Sequence, residues 1–177
     1  QNAVLAKSYD FDFIIGSSHL VRGKDPYYPS YYEGRTDEEA YREYFESILE
    51  NIQNFSNFDV YGHLDYVVRY GAEKDKNYSY ERFGDILDSI LKALVERGKG
   101  LELNTSGINK GLRDFHPCMA ILKKYRALGG EVITIGSDAH TPADIALHFH
   151  RACEVLKECG FTHYAVFEKR IPEFHRL

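Results

Sequence analysis

At 177 residues, 44% hydrophobic and 28% charged, the chain has the composition of one ordinary globular domain, or a large piece of one, long enough to bury a core. A net charge of −5 argues against a general nucleic-acid binder, which needs an excess of Lys and Arg, and no apolar run reaches the length of a membrane span. Three cysteines without Cys-x-x-Cys spacing (Cys118, Cys153 and Cys159) point to buried thiols in a reducing compartment, so a cytoplasmic setting is expected. The opening Gln-Asn-Ala-Val-Leu-Ala-Lys carries neither Met nor a capping signal and runs toward a strand by Phe11, as if starting inside a larger unit.

Residues 11–18 read as a mostly buried strand ending at Gly16, with His19 just beyond. The loop from Leu20 to Arg35 combines Arg22, Lys24 and Arg35 with Tyr27, Tyr28, Tyr31 and Tyr32. It is either a surface loop packed down by its tyrosines or a flap offering cations to an anionic substrate. Thr36-Asp37-Glu38-Glu39 is a capping box that opens a helix to about Asn54, with Ala40, Tyr44, Ile48 and Ile52 on its inner face. Phe58 to Tyr61 forms a second strand, followed by Gly62, His63 and Asp65. A polar connection over 66–78 leads to a helix from Tyr80 to Arg97, with Gly98 as its C-cap. Leu101 to Asn104 is a third strand, and Pro117 suits the first turn of a helix that stops at Gly129-Gly130. Val132, Ile133 and Ile135 make a fourth strand; Pro142 starts a helix running to Cys159; residues 162–168 alternate as a fifth strand. The alternation of strand and helix predicts an α/β fold with a parallel sheet, open or closed into a barrel.

The chemistry gathers at the strand ends. Gly16 is followed by His19, Gly62 by His63, and Gly136 by Asp138 and His140, while the third strand carries Glu102 and Asn104. Parallel strands joined by crossover helices place their C-terminal ends on one rim, so these side chains are expected to converge there. Taken alone, Asp138 and His140 fit a capping Asp and a surface His better than a metal pair. Three strands delivering His or Asp to one rim favour a metal site. Imidazole and carboxylate ligands suit Zn²⁺, Fe²⁺ or Mn²⁺, and such a rim near Arg and Lys suggests phosphoester hydrolysis by a metal-activated water. His116, His148, His150, His163 and His175 are read as lying outside the ligand set.

Four stretches together carry a resemblance: Asp12-Phe13-Ile14-Ile15-Gly16-Ser17-Ser18-His19, Tyr61-Gly62-His63-Leu64-Asp65, Leu101-Glu102-Leu103-Asn104-Thr105-Ser106-Gly107 and Ile135-Gly136-Ser137-Asp138-Ala139-His140. The chain resembles the PHP (polymerase and histidinol phosphatase) superfamily, in particular its histidinol-phosphate phosphatase branch, from about Phe11 to Phe167. The resemblance implies a distorted (β/α)7, TIM-like barrel with two or three divalent ions (Zn, Mn or Fe) at its C-terminal rim. It implies hydrolysis of L-histidinol phosphate to L-histidinol and phosphate in histidine biosynthesis. His19, His63, Asp138 and His140 match metal-binding positions, with Asp138 and His140 also read as catalytic, and Glu102 is read as structural rather than a ligand. Lys110, Arg113, Arg22, Asn104 and Ser106 are the expected phosphate- and substrate-binding residues; only Lys110 matches the basic pair that relatives carry after Gly107, and Arg113 is a substitute for its partner.

The family's first motif, a His-x-His on the first strand, is absent, as are the Asp, His and bridging Glu that follow it. The expectation is therefore that residues 1–177 are the C-terminal part of a single PHP domain, with its N-terminal βα units missing and a His-x-His lying about ninety residues before His19, at about thirty residues per βα unit. The expected partner is a small-molecule phosphoester, with no nucleic acid and no membrane. Two alternatives stand beside it: a PHP phosphoesterase acting on another phosphoester or nucleotide, and a non-catalytic PHP remnant used for binding.

Overall fold

The computed structural model describes residues 2–177. A short helix, α1 (Asn2–Ser8), leads to β1 (Ile15–Gly16), and α2 (Asp37–Asn54) connects β1 to β2 (Val60–Tyr61). Helix α3 (Gly84–Glu96) leads to β3 (Gly100–Asn104); α4 (Ser106–Asn109) and α5 (Met119–Ala127) lead to β4 (Ile133–Gly136). Then come α6 (Phe149–Glu158), β5 (His163–Glu168) and β6 (Ile171–Arg176). Strands β1 to β4 form one parallel sheet whose spatial order follows the chain, with Ile15 opposite Val60, Tyr61 opposite Leu101 and Asn104 opposite Gly136. Among the described residues, no helix is long and apolar enough to cross a membrane.

The α2 reading holds to its ends: the Thr36 side chain accepts from the Glu39 backbone N–H while the Glu39 carboxylate accepts from that of Thr36, and the helix closes at Asn54. Its apolar face (Tyr44, Phe45, Ile48 and Ile52) is fully buried. Helix α2 packs on α3 and α3 on α5, while Leu101 and Leu103 point from β3 into the same core. Glu102 and Asn104 project to the other face of β3, because alternate strand residues do so.

Four expectations change. Of residues 11–18 only Ile15–Gly16 are in the sheet. The fifth strand does not extend the parallel sheet: β5 pairs antiparallel with β6 in a hairpin of its own, with His163 opposite Arg176. The turn of that hairpin ties back to the start of the sheet, where Lys169 N–H donates to Asp12 Oδ1 (2.9 Å) and Arg170 Nε to Asp59 Oδ2 (2.6 Å). The fourth helix begins at Phe149, since Ala146 and His148 take left-handed backbone conformations (φ 57° and 65°) that break the run after a single turn at Pro142–Asp144. Finally, the polar connection over 66–78 opens with a buried 3-10 turn, Tyr66–Arg69. Tyr66, Val67, Val68 and the Arg69 stem are buried there, the turn packing on α2, which the polar appearance of the whole segment conceals.

The loop after β1 is packed down by two of its tyrosines. Tyr31 O–H donates to the Ala40 carbonyl (2.8 Å) and Tyr32 O–H to that of Val67 (2.9 Å), while Tyr27 and Tyr28 remain exposed.

Candidate active site

Glu102 organises the rim from inside. Its carboxylate accepts from the His63 backbone N–H (3.0 Å) and from Asn104 Nδ2 (3.1 Å), and burial raises its pKa above the ordinary carboxylate value. The two neighbouring strands make room with glycine. A Cβ on Gly136 would lie 2.2 Å from Glu102 Oε1, and one on Gly62 would lie 3.2 Å from Oε2. The Gly that ends β4 and the one that follows β2 are therefore steric requirements of Glu102 as much as turn signals.

His63, held by that carboxylate, has a left-handed backbone (φ 28°). Such strain in a non-glycine residue persists where the surroundings dictate it, commonly at functional sites. Its ring centroid lies 5.0 Å from that of His19 and 5.1 Å from that of Tyr66. His63 Nδ1 is buried and, among the described residues, has no hydrogen-bond partner. Burial, with help from the Arg69 charge, pulls the His63 pKa down to about 3, so the imidazole is neutral at physiological pH. A neutral imidazole with a free buried nitrogen beside a second imidazole has the donor chemistry of a divalent-metal site.

Arg69 enters the rim from the turn that follows His63. It is 5% exposed and its guanidinium reaches three partners: Nε donates to His116 Nε2 (2.8 Å), Nη1 to Asp138 Oδ2 (3.3 Å) and Nη2 to Ser106 Oγ. Ser106 Oγ donates in turn to Asn104 Oδ1 (2.6 Å). Behind His116, Nδ1 meets Asp65 Oδ1, and the other Asp65 oxygen accepts from Tyr78 O–H (3.1 Å) and the Cys118 N–H (3.0 Å). Asp138 carries the same kind of backbone strain as His63, at φ 50°.

The expected residues thus divide. His19, His63 and Asp138 lie about the rim, and Asn104 and Ser106 are buried beneath it. The ring of His140 is 79% exposed, with Nδ1 turned to the Asp138 carbonyl (2.7 Å). Among the described residues, no three His, Cys, Asp or Glu side chains are already gathered tightly enough to hold an ion. Of the surface cations, Arg113 binds Asp75, Arg22 pairs with Glu50 (3.1 Å), and Lys110 is exposed, its carbonyl accepting from Lys74 Nζ (2.9 Å). His148 faces Asn109, His150 sits near Glu154, and His175 stacks on Tyr164 within the hairpin.

Sequence reasoning passed over Arg69, Asp65 and His116 as functional residues. Arg69 closes the run Tyr66-Val67-Val68-Arg69, and a lone cation ending an apolar triplet was the available signal. His116 is completely buried, and nothing local to its sequence distinguishes it from a residue that merely precedes a helix.

Comparison with known proteins adds a line of evidence independent of this geometry. A family model described as the PHP domain matches residues 1–106. A probable histidinol-phosphatase of Clostridium acetobutylicum is 34% identical over 174 residues, covering 98% of this chain and 68% of that protein. The histidinol-phosphatase of Lactococcus lactis subsp. lactis is 37% identical over 162 residues, covering 90% of this chain and 60% of that protein. The crystal structure of the histidinol phosphate phosphatase from the same organism, complexed with zinc, L-histidinol and phosphate, superposes with a TM-score of 0.84 at 35% identity. That alignment covers 97% of this chain and 65% of the solved one. The chain spans 60% to 68% of the length of these relatives.

Proposed function

The chain belongs to the PHP domain family, and on that premise we propose that it carries the later part of a metal-dependent phosphatase that hydrolyses L-histidinol phosphate to L-histidinol and phosphate in histidine biosynthesis. Residues 1–177 are, in this reading, the C-terminal part of a single PHP domain, and β1 to β4 are consecutive walls of a distorted (β/α)7 barrel. The sequential strand order and the succession of α2, α3 and α5 support that reading, because a barrel wall grows by one βα unit at a time in one direction. The cytoplasm is the proposed setting, on the cysteine usage.

The observation that carries the function is the unpartnered, buried Nδ1 of neutral His63 beside His19, on the rim that also holds Arg69 and Asp138. His19, His63, Asp138 and His140 are the residues of this chain that would hold two or three divalent ions, zinc, manganese or iron. Bound ions would supply a water of lowered pKa and offset the charge on the phosphoryl oxygens. The chain's own contribution is orientation. Glu102 holds the His63 backbone, and Ser106 and Asn104 fix one arm of Arg69. Arg69, buried and directed to the rim, is the cation best placed to meet phosphoryl oxygens. Lys110, Arg113 and Arg22 are left to act from the periphery, two of them against carboxylates that already engage them.

The test is phosphate release from L-histidinol phosphate by the intact gene product with added Mn²⁺ or Zn²⁺. Turnover is expected. No turnover, with turnover of a different phosphoester, would remove the substrate assignment and leave the family chemistry. No turnover of any phosphoester by a protein that binds metal would point to the non-catalytic alternative.

A further inference from the structure

Buried at the back of the rim is a chain of three side chains of which the phosphatase reading uses only Arg69. Asp65 contacts His116 Nδ1, His116 Nε2 contacts Arg69 Nε, and all three residues are at most 5% exposed. The proton positions follow from chemistry. An arginine Nε–H can only donate, so His116 Nε2 must accept; the ring proton then sits on Nδ1 and is donated to Asp65. His116 is therefore a neutral imidazole held in one tautomer between a carboxylate and a guanidinium.

The placement is specific. Asp65 and Arg69 are four residues apart, one preceding a 3-10 turn and the other ending it, whereas His116 comes from beyond α4. His116 is docked on the end of β3 by two backbone bonds with Asn104, one in each direction (2.6 and 2.9 Å). Gly107 leaves room for its ring, since a Cβ there would lie 3.2 Å from His116 Cδ2. Arg69 already meets one carboxylate directly, that of Asp138 (3.3 Å), and a second at the same range would cancel more of the guanidinium charge. The interposed neutral ring keeps the Asp65 carboxylate an imidazole's width away and still fixes the angle of the Nε–H. Arginine has five N–H donors, and three are used by His116, Asp138 and Ser106. Two are left for an incoming anion.

We propose that Asp65 and His116 are positioning residues that hold the Arg69 guanidinium toward the rim, leaving its remaining N–H groups for the phosphoryl oxygens of the substrate. The proposal rests on the phosphatase reading for the identity of the anion, but not for the arrangement of the three side chains.

Two variants of the intact protein separate this role from plain core packing. In Asp65→Asn, the Cys118 N–H still demands an acceptor, so the amide oxygen turns to it and the amide N–H₂ faces His116 Nδ1. That forces the ring proton onto Nε2, directly against Arg69 Nε–H. In His116→Gln, one side-chain amide can accept from Arg69 and donate to Asp65 at once. The readouts are the 15N spectrum of the His116 ring, the Kd for inorganic phosphate, and the split between KM and kcat for L-histidinol phosphate. The wild-type ring is expected to be protonated at Nδ1 and bare at Nε2. Asp65→Asn is expected to weaken inorganic phosphate binding and raise KM by about tenfold or more, the effect of losing one well-placed charge-assisted hydrogen bond. His116→Gln is expected to stay within about threefold of the wild type, rescuing through its amide. A wild-type ring protonated at Nε2 would overturn the proposal. So would phosphate affinity and KM unchanged in Asp65→Asn. If Asp65→Asn fails to fold, His116→Phe takes its place with the same tenfold expectation and the same overturning result. Failure of the phosphatase reading shows separately, as absence of turnover by a wild-type protein whose His116 spectrum has the Nδ1–H form.

Discussion

The rim above β2, β3 and β4 and the free side of β1 are built in opposite ways. On the rim, Asp65, Arg69, Glu102, Asn104, Ser106 and His116 are all buried, and every one of them is hydrogen-bonded to another side chain of the set. Along β1, which among the described residues pairs only with β2, Ile15 is 46% exposed and borders an open apolar groove of about 990 Å³ lined by Leu5, Phe11, Phe13, Phe55 and Phe58. Buried polar groups cost several kcal/mol each if left unpaired, so a dense polar cluster must be closed by its own members. An apolar groove has no such closure requirement, and a strand with a free edge can accept a further strand. His19 lines the groove and meets the rim through its ring contacts with His63 and Tyr66. Of the proposed metal ligands, His63 is the one set most firmly by this chain; His19 stands where the self-contained half of the molecule gives way to the open half.

Five substitutions probe that contrast. Arg69→Met should have the largest effect on the chain itself, about 3–5 kcal/mol, because it strips a donor from His116, Ser106 and Asp138 at once. Urea unfolding measures it, and a loss under about 1 kcal/mol, within the range of an ordinary hydrogen bond, would mean the rim is not a closed network. In the intact protein, Asp138→Ala should lower kcat/KM by about a hundredfold or more, while His150→Ala, on the exposed face of α6, should leave it within about twofold. Equal effects would show that the rim is drawn around the wrong residues. Gly136→Ala should cost about 1–3 kcal/mol, since its Cβ would displace the Glu102 carboxylate from which the His63 backbone hangs; a thermal melt that does not shift would release Glu102 from that role. On the open side, Ile15→Thr should change the stability of this chain by less than about 0.5 kcal/mol. A larger change in the same melt would show that the β1 edge is already covered.

Local rules account for much of this molecule. The capping box at Thr36 sets the start of α2, the 3.6-residue periodicity sets its buried face, and short apolar stretches closed by glycine mark β2 and β4. Each is an interaction among residues close in sequence, so the sequence alone contains the cause. The common side of the strand ends is legible as well, because parallel strands joined by crossovers leave their C-terminal ends on one side wherever the strands fall in the sheet. The partners of the residues there were not legible. Asp65 meets His116 across 51 residues of chain, Arg69 meets Asp138 across 69, and the β5–β6 turn meets Asp12 across 157. No local propensity encodes which buried polar group will answer which; that is decided when the core closes and unpaired donors and acceptors are driven to find each other in a low dielectric. The hairpin that replaced the expected fifth parallel strand has the same origin: alternation determined that residues 163–168 are a strand, but the partner of that strand depended on the chain turning back at Lys169 and Arg170.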